Sequence, residues 1–499
     1  MRRALSSAST SIVDAVSRGL VPSRPMRSAL GVACLAGSVA IGSLAEASVA
    51  QADELVLMDE PTTYTDVVDA FDDDDVFDVN IHVGYLRQWE LGRLQREVNG
   101  PGAADDRSQS LLVDVGNYEL QRNGLMFGLD IGVFRDLAIY ARLPLILSDD
   151  RTISPRSGLD ASVLEAGGMQ LFDLPMAGFR SPTRSGVDWM SVGLAWSILN
   201  QHRQRWAPTW VVMIEGRFNL GEPMRACQQR DGNTFCRPDV DAMGNPVAGN
   251  NSPGVGRGVN ALHIETRASF REGVLEPYAG LMAQIEWPGS AGSLFLPAGD
   301  LRGYINRIPP IQGRFTAGVA VIPWEDRQHF QRFTFDLRFN ADYVSEGRDY
   351  SPLFDALGSS TNPLLSTLNY EGVADTASGV DGLARVQFTG HTDTQSHGRV
   401  GGQITLEMQA AQYVRFQVGT LFMYSTPYNI TQTDACNPNV AAANVTDLRL
   451  VGDCRPSASS TNTSIINPHH RPVIDMPGNR FRMDGLWQID LYANVTAMF

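Results

Sequence analysis

Trp487-Gln488-Ile489-Asp490-Leu491-Tyr492-Ala493-Asn494-Val495-Thr496-Ala497-Met498-Phe499 alternates between two sets of side chains without a break. Trp487, Ile489, Leu491, Ala493, Val495, Ala497 and Phe499 share one parity; Gln488, Asp490, Tyr492, Asn494, Thr496 and Met498 share the other. A repeat of two is the side-chain period of a β-strand, whereas a helix repeats every 3.6 residues. The stretch therefore predicts a strand with one apolar and one polar face.

The same alternation recurs upstream. Phe77 to Tyr85, Phe127 to Val133, Leu137 to Leu145, Met190 to Ile198, Trp210 to Phe218 and Leu262 to Phe270 follow it. So do Val400 to Met408 and Val414 to Tyr424, while Leu275 to Trp287 and Gly313 to Pro323 carry more glycine and alanine. In the clearest case Phe333, Phe335, Leu337, Phe339, Ala341 and Tyr343 oppose Thr334, Asp336, Arg338, Asn340 and Asp342. A soluble two-sheet sandwich also alternates, so period alone does not choose between a water-soluble and a membrane-spanning sheet.

Three features make the choice. Very short connections, such as Phe134 to Asp136, Arg271 to Val274 and Ala411 to Tyr413, alternate with stretches of roughly 25 to 55 residues, anomalous in a compact soluble domain. The long set runs about Ser148 to Gly186, Leu220 to Gly258, Pro288 to Gln312, Ser345 to Ser396 and Ser425 to Asn479. Short periplasmic turns and long outer loops are how transmembrane barrels are connected. Second, Leu111, Val113 and Val115 share parity with Phe127 to Val133, so Leu111 to Val133 reads as one strand whose middle, Asn117 to Asn123, stands outside the lipid. A slip of one residue would have reversed its faces. The strand count is then about twelve, and an even number leaves both ends on one side. Third, the tryptophans at 89, 189, 196, 206, 210, 287, 324 and 487 fall in or at the ends of strands, where an amphipathic ring suits a lipid–water boundary. The expected fold is all-β: an antiparallel transmembrane barrel.

Residues 1–52 read as an export signal. Arg2, Arg3, Arg18, Arg24 and Arg27 precede an apolar run from Ala29 to Leu44, and Ala50-Gln51-Ala52 offers small residues for cleavage. Residues 53–75 follow as an acidic periplasmic leader and 76–499 as the barrel. Asp72 to Asp75 lack the spacing and glycine of a calcium loop and read as solvated acid, so no metal or cofactor is expected. The formal net charge is −15; without residues 1–52, which hold five arginines and two acids, it falls to about −18. Such a balance excludes nucleic acid as a partner. Four cysteines follow the signal in two local pairs, Cys227 with Cys236 and Cys436 with Cys454. In an exported chain they suggest two disulfides; neither pair has the CxxC spacing of a metal site.

Two patches carry a family resemblance. Ser185 to Trp196, followed by Pro208 to Leu220, resembles a strand pair of outer-membrane barrels of the phenol meta-degradation type; Gly132 to Pro144 resembles their tight hairpin ending in proline. The resemblance implies a barrel linked to movement of small, often hydrophobic, compounds. Independently, the strand ending on Phe499 resembles the terminal signal read by the barrel-assembly machinery. The expected surroundings are outer-membrane lipid and lipopolysaccharide.

Polar parity places charges on the inner face: Glu215, Arg217, His263, Glu265, Arg267, Asp336, Arg338, Asp342, Arg399, Glu407, Arg415 and Asp490. They fit either a wet pathway that selects solutes or a cross-strand ionic filling that closes the lumen. Twelve strands lie between the eight that side chains fill and the sixteen of open porins, so a narrow or gated path is expected. Catalysis is not: His82 and His263 are the histidines set among inward polar positions, and no Gly-x-Ser-x-Gly elbow accompanies them. A structural barrel whose long loops bind a partner is the other class. The apolar pieces Leu171 to Met176, Leu294 to Pro297 and Leu353 to Leu357 either fold inward or meet something outside.

Overall fold

The computed structural model describes residues 61–70, 78–99, 110–172, 174, 178–230, 232–236, 252–297, 299, 303–371, 383–441, 454 and 464–499. Residues 1–52, expected to be an export signal, and Asp72 to Asp75 lie outside the described residues.

Among the described residues, twelve long strands pair antiparallel with their neighbours in sequence. They are β1 (Val79–Asn99), β2 (Ser110–Phe134), β3 (Leu137–Pro155), β4 (Trp189–Leu199), β5 (Thr209–Asn219) and β6 (Val259–Ser269). Then follow β7 (Leu275–Pro288), β8 (Gln312–Asp326), β9 (Gln331–Val344), β10 (His397–Ala411), β11 (Val414–Ser425) and β12 (Phe481–Met498). β12 pairs with β1 from Asn80↔Met498 to Arg96↔Phe481, which closes the sheet into a barrel and leaves no unpaired edge. The connections alternate as expected, with short turns at one end and long loops at the other.

The outer face is apolar and solvent-accessible, an arrangement that only lipid makes favourable. Phe127, Leu129, Leu194, Ile214, Leu281, Leu337, Phe339, Ile404, Val418, Leu491 and Val495 all point away from the lumen. Aromatic rings bound this belt at both ends. Trp196, Trp210, Trp324 and Tyr413 lie toward the short turns; Trp287, Trp487, Tyr343 and Phe218 lie toward the long loops. Of the eight tryptophans, Trp206 departs from a strand position: it sits in the turn between β4 and β5 and is 82% exposed.

β1 and β3 are longer than the alternation suggests, at 21 and 19 residues, and β2 has 25. A membrane-crossing strand needs only about ten, so these rise roughly 30 Å beyond the belt. Hence Ser148 to Pro155, expected in a loop, continues β3, and β1 runs well past Tyr85. Above the lipid there is no apolar partner for the outer face, and register shifts at Leu94/Gln95 and Asn123/Gly124 break the parity. Leu111 to Val133 is one strand, as expected, but its two ends do not share a face. The shift at Leu94/Gln95 leaves Val115 as an unpaired bulge residue buried in an inner core with Leu94, while Phe127 and Leu129 face outward. Gly485, at φ 72°, is the extra residue of a bulge opposite Gly92/Arg93. Such a bulge reverses the faces. Phe481 and Met483 therefore point inward although they share parity with the lipid-facing Trp487.

The long loops fold inward. Leu171, Phe172, Leu353, Ala356, Leu357, Phe388, Ile430 and Ile474 pack against Leu94, Tyr118, Leu120, Ile153, Phe481 and Met483 on the inner face of the raised wall. This is a second apolar core, a cap over the loop-side mouth, and it takes up Leu353 to Leu357 and the described part of Leu171 to Met176. Phe295 is also fully buried. Cys227–Cys236 and Cys436–Cys454 are disulfides within the loops, as expected.

Candidate functional site

Because inward residues on one strand are spaced by two, acid and base at i and i+2 meet along the wall. Glu215 accepts from Arg217 at 2.5 Å, Glu265 from Arg267 at 2.8 Å and Asp336 from Arg338 at 2.9 Å. Neighbouring strands add cross-links: Asp342 accepts from Arg314 at 2.7 Å and from Arg399 at 2.8 Å, and Arg415 lies 3.7 Å from Glu407. His263 reaches Glu265 at 3.3 Å, and Asp490 accepts from Gln488 at 2.8 Å. The twelve positions named from parity thus line the inner wall in separate groups rather than one cluster; eleven of them make ion pairs, and Asp490 is held by the neutral Gln488.

Another group spans β1, β2, β3 and β12. The His82 ring bridges Thr496 Oγ1 (2.9 Å) and Asp130 (2.6 Å), and Arg142 also donates to Asp130. Neither Asp130 nor Arg142 was singled out by sequence. Thr496 is buried, so the row is a cross-strand tie rather than an accessible nucleophile.

The least legible part of the site comes from the leader. Of residues 53–75, the described stretch 61–70 lies inside the barrel. A turn at Thr62 to Thr65 is held by Thr65 N–H to the Thr62 carbonyl (3.0 Å). Thr62 N–H donates to Glu276 at 3.0 Å, Thr63 to Glu407, and Thr65 Oγ1 lies 2.7 Å from Ser269 Oγ. The Tyr64 carbonyl accepts from Arg267 at 3.0 Å, and Asp66 accepts from Arg415 at 3.0 Å. The Tyr64 ring packs against Tyr278 at a tilt of 32° (centroids 4.2 Å apart), with the Arg267 and Arg338 guanidiniums 4.9 and 4.6 Å from its centre. Such cation–π contacts gain strength where water is excluded.

Inward glycines make this approach possible. A Cβ on Gly280 would collide with the Tyr64 hydroxyl, and one on Gly132 with the Asp69 carbonyl. Two cavities flank the leader. One of about 350 Å³ is lined by Thr63, Asp66, His82, Arg142, Arg415 and Tyr492 among others; one of about 180 Å³ touches Thr63, Tyr64, Arg338 and Glu407.

No protein-family model matches the chain, and no curated protein matches it. Among solved structures it is similar to an outer-membrane channel from Pseudomonas putida F1, with 9% identity over 87% of this chain and 99% of that one (TM-score 0.31). A FadL homologue from Pseudomonas aeruginosa has 9% identity over 85% and 90% of the two chains (TM-score 0.30). The outer membrane protease OmpT from Escherichia coli has 8% identity over 85% and 96% (TM-score 0.26). The functional reading rests on the chain's own geometry.

Above the lumen the cap is tied by buried charge. Arg184 donates to Asp355 at 2.6 Å, and Asp355 also accepts from Ser181 (2.8 Å) and the Cys227 N–H (3.0 Å). Arg257 joins Glu286 (2.7 Å) and Asp349 (2.6 Å), and Arg348 joins Asp393 (3.2 Å). Among these, His391 is fully buried in a cage of Tyr350, Phe295 and Phe354, with ring centroids 4.2, 4.8 and 5.1 Å away.

Burial first, then the Arg348 and Arg257 charges, hold the His391 pKa well below its ordinary value. The sign follows from linkage. An opened cap binds the proton and the closed cap does not, so acidification below about pH 6.5 weakens closure by up to about 1.4 kcal/mol per pH unit. Asp349 and Asp393, whose pKa values burial raises, oppose this trend in wild type and variant alike. His391→Phe is therefore expected to make loop proteolysis less acid-sensitive than in wild type. An unchanged difference between pH 7.5 and pH 5 would contradict the assignment.

Proposed function

We propose that this chain is an outer-membrane barrel forming a narrow, gated passive channel for small solutes. The leader is the gate at the short-turn side and the loop cap constricts the loop side. The observation that carries this reading is the docked leader between two cavities on a charged inner wall. A barrel meant only as a scaffold has no need of a removable segment held in its lumen by side-chain contacts. Ion-paired walls support polar or ionisable solutes more than the hydrophobic ones the family resemblance implies. Export by residues 1–52 and folding by the barrel-assembly machinery, with Phe499 as part of its signal, belong to the same proposal.

Purified protein in a planar bilayer is expected to show discrete, intermittent conductance steps. The second reading, a surface-interaction barrel, draws support from the cap's own apolar core and its two disulfides. Silence in the bilayer, both with the intact leader and with residues 61–70 deleted, would favour that reading and end the channel proposal.

A further inference from the structure

The formal net charge of the chain is −15, yet its short turns are basic. The five that join β2–β3, β4–β5, β6–β7, β8–β9 and β10–β11 hold five arginines, Arg135, Arg203, Arg205, Arg271 and Arg327, against two acids, Asp136 and Glu272. Asp136 is already engaged: it accepts from Asn200 Nδ2 at 2.8 Å and lies 3.2 Å from Arg203, which also reaches Asp69 of the leader at 3.7 Å. Arg135 and Arg205 stay exposed, and among the described residues neither has an ion-pair partner. Each has an exposed aromatic beside it in sequence. Trp206 follows Arg205 and is 82% exposed; Phe134 precedes Arg135 and is 59% exposed. The β4–β5 turn presents its pair from an ordered backbone, in which the Asn200 carbonyl accepts from the Arg203 and Gln204 N–H groups at 3.2 and 3.1 Å and the Gln204 carbonyl from Ala207 at 2.8 Å.

We propose that the β2–β3 and β4–β5 turns bind anionic phospholipid of the inner leaflet of the outer membrane, the side on which barrels carry their short turns. Arg135 and Arg205 would each take a headgroup phosphate, a charge-assisted contact, while Phe134 and Trp206 lie at the boundary between headgroups and acyl chains. The surface is continuous with the apolar belt, which ends on Trp196 and Trp210 of the same strands. A zwitterionic headgroup offers the same phosphate but already pairs it with its own cation, so it binds more weakly. Cell-wall carboxylates would satisfy the arginines and leave both rings in water. The site does not depend on whether the lumen conducts.

Native mass spectrometry of the full mature chain in detergent, titrated with phosphatidylglycerol or phosphatidylcholine, tests this. Phosphatidylglycerol is expected to half-saturate the wild type at a concentration at least about tenfold lower than phosphatidylcholine. Arg135→Gln and Arg205→Gln should each weaken phosphatidylglycerol about fivefold and leave phosphatidylcholine unchanged. Arg135→Lys and Arg205→Lys keep the charge and most of the preference. Arg180→Gln, which removes an exposed arginine on the loop side, should not alter it. A retained gel-mobility shift on boiling shows that each variant is folded. Equal affinity for the two lipids, a preference that survives Arg135→Gln and Arg205→Gln together, or an equal loss with Arg180→Gln would overturn the proposal. Capture by purified peptidoglycan that the double variant loses, without a lipid preference, would also overturn it and give the surface to the cell wall.

Discussion

Replacing Tyr64 with alanine is expected to shift the leader from docked to withdrawn by about 30- to 150-fold, seen as a rise in channel open probability. The estimate sums a tilted aromatic pair with two partly desolvated cation–π contacts, about 2–3 kcal/mol together. The remaining holds are hydrogen bonds through Thr62, Thr63, Thr65 and Asp66, which keep the variant leader partly docked. Tyr64→Phe keeps the ring and should stay near wild type. Gly280→Ala should resemble Tyr64→Ala from the opposite side, since its new methyl group fills the space of the Tyr64 hydroxyl. Recordings in which the alanine variant opens no more often than wild type would mean that the ring does not hold the gate.

The second large effect lies in the cap. Asp355→Ala removes the acceptor for Arg184, Ser181 and the Cys227 N–H at one stroke, in a place where Arg184 is 1% exposed. Leaving a buried guanidinium without its carboxylate costs about 3–5 kcal/mol. Arg184 keeps the Arg225 carbonyl at 3.0 Å, a hydrogen bond that does not neutralise its charge. The loss is expected in the loops rather than in the barrel, whose closure depends on the strand ladder. Protease should therefore cut the loops of the variant much faster, while the barrel still shifts its gel mobility on boiling. Asp355→Asn, which keeps acceptor geometry without the charge, should lose less. Equal loop protection in Asp355→Ala and wild type would contradict the cap's dependence on this pair.

The barrel was legible because lipid imposes a rule on every crossing residue. A strand such as Phe333 to Tyr343 must be apolar at each odd position, and the rule survives without any knowledge of neighbours. Inner-wall charges inherit that legibility by parity, which is how Glu265, Arg267 and Arg415 were found. The rule ends where the lipid ends. Above it, Gln95 to Asn99 and Ser148 to Pro155 are strands held by backbone pairing with no face turned to lipid, and the Gly485 bulge inverts Phe481 and Met483. Tyr64 was hidden for a different reason: its partners Tyr278, Arg267 and Arg338 lie more than 200 residues away, and no local period encodes them. Gly280, an inward position without a side chain, was the trace the leader left in the barrel sequence.

Thiol labelling of Thr63→Cys during bilayer recording tests the account most directly. Thr63 borders both cavities and bonds Glu407 on the wall, so a charged methanethiosulfonate reagent should attach inside the pathway when the leader moves. The account predicts a stepwise, irreversible fall in current to less than half on reagent addition, with no change in the unsubstituted channel. A current that is untouched after mass spectrometry confirms modification of Cys at position 63 would contradict a leader that stands in the path.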